Sequence, residues 1–475
     1  MSTEHVPESE PSAPSPACRV VTLLPIDGRE PPSNLSSIDA DATLVAISAP
    51  WHPAVLARLE ALPELEPLED PSQPSPGVQK VVPQGALTLL DEGHRMNAEA
   101  VGLPVIEGAL SRLSLAAEIL LRIDPQAPSP TDEADPLVLD FLALGSARWM
   151  LRDLTIAMGH ADCLDLDNLT REVQAGAKSW VAGDFATSRN RLRAAFELLT
   201  QARERFYPMD AYVIDLCLLD TGSPAGCLNE ALEARVPFSV LAASKAIEAF
   251  ARTDPAAVQK LAEAVDEGWA DVIGGPYSES DEPLLPVESI LWQYRHSAEV
   301  YRRHLSDRSV ETYGRRRFGL YPMLPQVARR FAIRFGLHLA LDDGRFPRSS
   351  EMKRMWEAPD GTALEVVTRI PHPADVSTES PRLAWKLARS MKEDHLATVL
   401  LVHWADNVSD WYRDLRRVAS YSPVFGRFVM AGDYFHLSDR PWETIRGSLD
   451  EYVFPYFAQN VSRGDPNPVS ERARH

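Results

Sequence analysis

The sequence predicts an α/β protein with a C-terminal parallel β/α barrel of about seven strands, preceded by a small α/β unit and a helical region. Three observations carry that expectation. From residue 208 onward, short apolar runs alternate with helical patterns seven or eight times over about 230 residues, more repeats than an open sheet needs. Between 110 and 206 the apolar residues recur at helical spacing instead. Several of the C-terminal runs end in charged residues, and parallel α/β proteins place their chemistry at strand C-terminal ends.

The elements follow in order. Residues 1–18 are rich in Ser, Pro and Glu and are expected to be disordered. Residues 19–109 read as a small α/β unit, with strands at 19–25, 42–47 and 78–83 and a helix at 53–61. His52, at the strand-to-helix switch of Trp51-His52-Pro53, reads as a turn residue, with a ligand contact as the alternative. Residues 110–207 form a helical bridge broken by PQAPSPTDEADP at 125–136. One apolar helix face in it carries Val138, Phe141, Leu142 and Trp149; another carries Phe185, Leu192, Ala195, Phe196 and Leu199. Residues 208–440 form the barrel, with strands at 211–219, 238–242, 270–273, 317–320, 337–341, 364–368, 398–403 and 428–430, and helices such as 256–267 and 287–304. Residues 441–475 are a partly disordered extension.

Composition narrows the function class. A chain of 475 residues exceeds one ordinary core, and 45% hydrophobic with 24% charged residues is a globular balance. The formal charge of −20 argues against nucleic acid or an anionic membrane as partner. The four cysteines Cys18, Cys163, Cys217 and Cys227 show neither metal-site spacing nor disulfide density, which points to a reducing compartment. With no basic start and no apolar run near the roughly 20 residues of a membrane span, the expected location is cytoplasmic. No cofactor and no metal are expected, and the oligomeric state is not legible.

The candidate site residues come from the strand ends. Asp215 interrupts the apolar run at 211–219, so its charge must be paired, hydrogen-bonded or functional. The loop Gly274-Gly275-Pro276-Tyr277-Ser278-Glu279-Ser280-Asp281-Glu282 crowds three carboxylates behind two glycines, and crowding raises carboxyl pKa values. Asp342, Asp343 and Arg345 follow the run at 337–341, and His403-Trp404-Ala405-Asp406 follows that at 398–402. Asp215, Glu279, Asp342, Asp343 and Asp406 are therefore the candidate catalytic acids. Tyr277, Arg316, Arg345, His403 and Trp404 are the candidate substrate contacts. Of Arg315, Arg316 and Arg317, at most two can share one side of a strand, to bind an anionic group or to pair with the acids.

The order of these elements resembles the β/α-barrel glycoside hydrolases of families 38 and 57, the α-mannosidases and α-glucan enzymes. Gly274-Gly275-Pro276-Tyr277 looks like the Gly-Gly-x-Tyr loop of the α-glucan group. Phe318-Gly319, a helix and then Phe335-Gly336 are similar to the mannosidase strand-helix-strand that carries the nucleophile. The chain departs from both patterns at the nucleophile. It has Arg316-Arg317-Phe318-Gly319-Leu320 where the mannosidases have Asp-Pro-Phe-Gly-His, and Tyr321-Pro322-Met323 where the α-glucan enzymes have Trp-x-Pro-Glu. Tyr212 and Asp215 stand in the region of the mannosidase His-x-Asp metal pair. The resemblance implies a carbohydrate ligand and either a glycoside hydrolase or glucan-modifying enzyme using mouth carboxylates, or a non-catalytic sugar-binding or scaffold pseudoenzyme. Asp342-Asp343-Gly344 also resembles the Asp-Asp-Gly of polysaccharide deacetylases, but His372, His395 and His403 lack the helical ligand spacing that chemistry uses.

Overall fold

The computed structural model describes residues 19–24, 35–67, 77–83, 106–107, 111–127, 135–280, 282–305, 310–317, 319–339, 341, 351–448 and 452. The chain divides into two compact units, Met1–Gly145 with Leu166–Ala195, and Ser146–Asp165 with Phe196–His475. The architecture is mixed α/β with parallel sheets.

The first unit holds β1 (Arg19–Leu24), α1 (Ser37–Ser48), α2 (Pro53–Leu56), β2 (Glu64–Pro67), β3 (Val78–Val82), β4 (Ile106–Glu107) and α3 (Arg112–Ile123). Its strands form a parallel sheet in the order β2-β1-β3-β4. The unit boundary falls within the long helices α4 (Pro136–Met158) and α6 (Phe185–Phe206), and α5 (Leu166–Val181) lies in the first unit. The strand expected at 42–47 is instead the second half of α1. Ser36 caps that helix by accepting from the Asp39 amide, and every residue from Ala42 to Ser48 is buried, so an apolar run without period could not separate helix from strand. His52 is a turn residue: its Nδ1 accepts from the Ala54 amide at 3.1 Å, capping α2, and burial lowers its pKa to about 4. The apolar faces expected on α4 and α6 are buried except at Phe185, which is 52% exposed on the first turn of α6.

The second unit continues with β5 (Ala211–Leu218), α7 (Asn229–Ala234), β6 (Phe238–Leu241), α8 (Ser244–Thr253), α9 (Pro255–Glu267), β7 (Ala270–Ile273), α10 (Val287–His304), β8 (Thr312–Tyr313), α11 (Leu324–Arg330) and β9 (Phe335–Leu337). Then come β10 (Lys353–Glu357), β11 (Ala363–Val367), β12 (His372–Pro373), α12 (Ser380–Glu393), β13 (Ala397–Trp404), α13 (Asp410–Tyr421), β14 (Arg427–Val429), α14 (Ala431–Leu437) and β15 (Thr444–Ile445). Parallel ladders run β12-β13-β5-β6-β7 and β8-β9-β11, and β10 joins β11 as an antiparallel hairpin. The strand expected at 317–320 is instead β8 at Thr312–Tyr313, and that expected at 337–341 is β9 at Phe335–Leu337. The amides of Gly274 and Gly314 donate to the carbonyls of Thr312 and Gly274 at 3.1 and 3.0 Å, joining β7 to β8 and thus the two sheets. No ladder joins β11 to β12 among the described residues.

Side-chain parity sorts the two faces of this curved sheet. Ile214, Leu216, Leu218, Leu241, Ile273, Phe335, Leu337, Val367 and Leu400 pack into one cluster, which defines the inner face. Cys217, Val240 and Val272, one residue out of phase, pack outward against Ile247, Leu261 and Tyr301 of the helices. Gly314 sits at an inner position where a Cβ would come within 2.3 Å of Ile273 and 2.6 Å of Leu241, so only glycine lets β8 pass that close. At the opposite end of the inner face, α14 forms a floor. Its Ala431 amide donates to Ser239 Oγ and its Gly432 amide to Asp271 Oδ2, each at 2.9 Å, which satisfies two amides of its first turn. No helix among the described residues is long and apolar enough to cross a membrane.

Candidate functional site

Three side chains from three other strand ends, Asp220, Glu279 and Trp404, converge around the Arg316 guanidinium. Asp220 lies two residues beyond β5, Glu279 in the loop after β7, Arg316 three residues beyond β8, and Trp404 ends β13. Arg316 donates to Asp220 Oδ2 at 3.2 Å, places Nε 3.8 Å from Glu279 Oε2, and lies 4.7 Å above the Trp404 ring. Glu279 also accepts the backbone amides of Arg316 and Arg317 at 2.8 and 3.2 Å. The parity explains the convergence: Leu218, Gly314 and Trp404 are inner positions, so Asp220, Arg316 and the indole lie in phase with the inner face. A planar guanidinium between two carboxylates and an aromatic face offers a flat, polar, half-open surface.

Arg315 points the other way. Its guanidinium is fully buried 3.6 Å from the equally buried Glu282, and it donates to the carbonyls of Arg317, Gly319 and Ser280. The chain wraps around this cation, which replaces the expected strand with a turn. Gly319, with φ +157°, is where a Cβ would fall 2.5 Å from the guanidinium. Thus one arginine of the triplet faces Asp220, Glu279 and Trp404, one ties the loop from behind, and Arg317 is exposed.

Asp215 and His403, both expected in the mouth, lie on the outer face. Asp215 is fully buried, and its Oδ2 accepts from Tyr412 Oη and Arg416 Nη1, both at 2.6 Å, from helix α13. His403 Nε2 comes within 3.3 Å of Asp215 Oδ1, and its Nδ1 is 2.9 Å from the Trp404 carbonyl oxygen. Burial pushes the Asp215 carboxyl up, but the neighbouring His403 and Arg416 side chains and the Tyr412 hydrogen bond outweigh it and hold it below its usual range. This network is the pairing that a buried aspartate needs.

The remaining expected residues are distributed as follows. Tyr277 donates to Glu248 at 2.9 Å, which raises the phenol pKa, and it belongs to the same loop as Glu279. Asp406 is exposed in the turn after Trp404; burial, with its charge adding, pushes the Cys217 and Cys227 thiols up. Asp281, Asp342, Asp343 and Arg345 lie outside the described residues. No group of three or more His, Cys, Asp or Glu able to hold a metal ion occurs among the described residues. Sequence reading passed over Asp220, although it is in phase with Leu218, and Glu248, which had no motif to mark it.

Residues 232–423 match the family model for the N-terminal domain of glycosyl hydrolases family 38, a segment that includes Glu279, Arg316 and Trp404 and leaves out Asp215 and Asp220. No curated protein matches the chain in sequence. Among solved structures, the chain is similar to a 4-alpha-glucanotransferase from Thermococcus litoralis at 16% identity, covering 54% of this chain and 47% of that one with a TM-score of 0.39. It is similar to an alpha-mannosidase from Enterococcus faecalis V583 at 15% identity, covering 50% and 30%, TM-score 0.38. A GH57-type branching enzyme from Pyrococcus horikoshii matches at 12% identity, covering 51% and 73%, TM-score 0.34. The matched part of this chain therefore spans less than half the length of the first two. With residues 232–423 as its footing, the chain resembles the N-terminal domain of the family 38 glycosyl hydrolases.

Proposed function

We propose that residues 208–440 form a closed β/α barrel, completed between β11 and β12, which binds a carbohydrate at its strand C-terminal ends and acts on it as a glycoside hydrolase or glucan-modifying enzyme. The observation that carries this reading is the meeting of Asp220, Glu279, Arg316 and Trp404 from four strand ends. Carboxylates there suit glycosidic chemistry, which needs two of them flanking the bond. The Trp404 ring suits the apolar face of a sugar, and Arg316 can exchange its carboxylate partners for ligand oxygens. An arginine cannot act as the nucleophile, so Glu279 and Asp220 are the acids offered by the described residues.

One observation favours a second reading, a sugar-binding protein without catalysis. Both carboxylates are engaged by Arg316, and Glu279 accepts two backbone amides besides. Incubation with maltoheptaose and with α-mannooligosaccharides, followed by chromatography of the products, separates the two. Cleavage or transfer that falls by about 10²-fold or more in Glu279→Gln or Asp220→Asn supports the enzyme. Binding with unchanged ligand supports the second reading. Neither binding nor turnover overturns both.

A further inference from the structure

We propose that the exposed ring of Trp292, stacked on His296 beside Tyr277, is a platform for a further ring of an oligosaccharide whose first ring sits at Arg316 and Trp404; this rests on the reading above. Trp292 lies on the second turn of α10 and is 52% exposed. Its ring stacks on His296 at 4.9 Å and 18°, and His296 in turn lies 4.6 Å from Tyr277. A single exposed aromatic needs no explanation, but three rings in mutual contact, one half open to solvent, are a built surface.

The surface is fixed in advance. The Tyr277 amide donates to the Gln293 carbonyl at 3.2 Å, the Ser278 amide to Gln293 Oε1 at 3.0 Å, and the Tyr277 carbonyl accepts from the Lys245 amide at 2.9 Å. With the Tyr277 hydroxyl held by Glu248, the loop has little freedom left to lose when a ligand arrives. It is also adjacent to the candidate centre: Tyr277 and Glu279 are two residues apart, which places their Cα atoms within about 7 Å. A pyranose chain presents an apolar C–H face to an indole and hydroxyls to the polar groups around it, which is the chemistry this ledge offers.

The test is isothermal titration of the folded parent and of Trp292→Ala with a long and a short ligand, maltoheptaose against maltose and an α-mannopentaose against the mannobiose. Trp292→Ala should weaken the longer ligand about three- to tenfold, the loss of one stacked ring, and leave the disaccharide unchanged. Trp292→Tyr should recover most of the loss. Equal affinity of the longer ligand for parent and variant overturns the platform, as does an equal loss for both lengths. If Arg316→Ala abolishes binding of every length while Trp292→Ala changes none, the mouth stands and the platform falls. If the parent binds none of the four sugars, both fall.

Discussion

One arginine–carboxylate knot is built on Asp215 inside β5 and the other lies beyond the C-terminal ends of β5, β7 and β8, and opposite side-chain parity separates their fates. On the outer face, Arg416 holds Asp215 with both side chains nearly inaccessible, its Nη1 also donates to the Tyr412 hydroxyl, and its Nη2 donates to the carbonyls of Ala231 and Val236. On the inner face, Arg316 holds Glu279 and Asp220, and Asp220 is 38% exposed. The first knot is nearly inaccessible to solvent, which suits a structural role. The second is open on one side, so its partners can be exchanged. Accessibility, more than the presence of charge, distinguishes the two knots.

The largest expected effect lies in the closed knot. Arg416→Met leaves the Asp215 carboxylate buried without its cation, which should cost about 3–5 kcal/mol in urea unfolding at neutral pH. The double variant Asp215→Leu with Arg416→Met should recover most of that, because it leaves no uncompensated charge behind. The sign with pH follows from the depressed Asp215 pKa. Its contribution is complete above the ordinary aspartate value and is lost as pH falls through the lower folded value, so Asp215→Asn should flatten the acid limb of the stability curve. A single Arg416→Met variant as stable as the parent would erase the contrast between the knots.

What the sequence could and could not reveal follows the same physics. Strands β5 and β13 and helix α10 were legible because long apolar runs and 3.6-residue spacing have few competing readings. Helix α1 was not, because it is buried nearly all round and loses its period. Strands β10 and β15 passed unnoticed, being half-buried and mixed in polarity. At the site, Glu279, Arg316 and Trp404 were legible as strand-end residues. Asp215, read as a charge inside an apolar run, and His403, read as a strand end, lie on the outer face because the reading did not count side-chain parity. Counting parity from Leu218 selects Asp220 over Asp215, and from Trp404 rejects His403. The choice between Arg315 and Arg316 depends on Glu282 behind the loop, a contact across 33 positions that no local pattern announces.

A fourth carboxylate sharpens the comparison, since Asp271 lies on the floor of the inner face with no cation partner among the described residues. Burial raises its pKa to about 6, against hydrogen bonds from Ser239 and the Gly432 amide. It borders a cavity of about 440 Å³ shared with Glu311, Asp433 and His436, so solvent offsets part of the cost. A raised acid pKa means the folded state holds its proton more tightly, so stability should fall as pH rises from about 4 to 6. Asp271→Asn keeps an acceptor for Gly432 and removes the charge. It should stabilise the protein by about 1–3 kcal/mol above pH 6 and change little below pH 4, as read by thermal unfolding at both values.

The smallest effect on stability belongs to the open knot, and it decides what that knot is for. Arg316 is 11% exposed, as is Glu279, so the pair is neither fully screened nor fully buried. Arg316→Ala should cost about 1 kcal/mol, between the value of an exposed pair and the penalty of a buried one. Glu279 keeps two backbone amides in the variant, and Asp220 can turn to solvent, so neither acid is stranded. Sugar binding, in contrast, should drop at least tenfold, since the variant loses both the guanidinium fork and the cation stacked on Trp404. Arg316→Lys keeps the charge and lacks the planar fork. It should restore the stability and only part of the binding. A loss of 3 kcal/mol or more in Arg316→Ala, with affinity for maltoheptaose and mannopentaose intact, would make the mouth a second structural knot, equivalent to the one around Asp215.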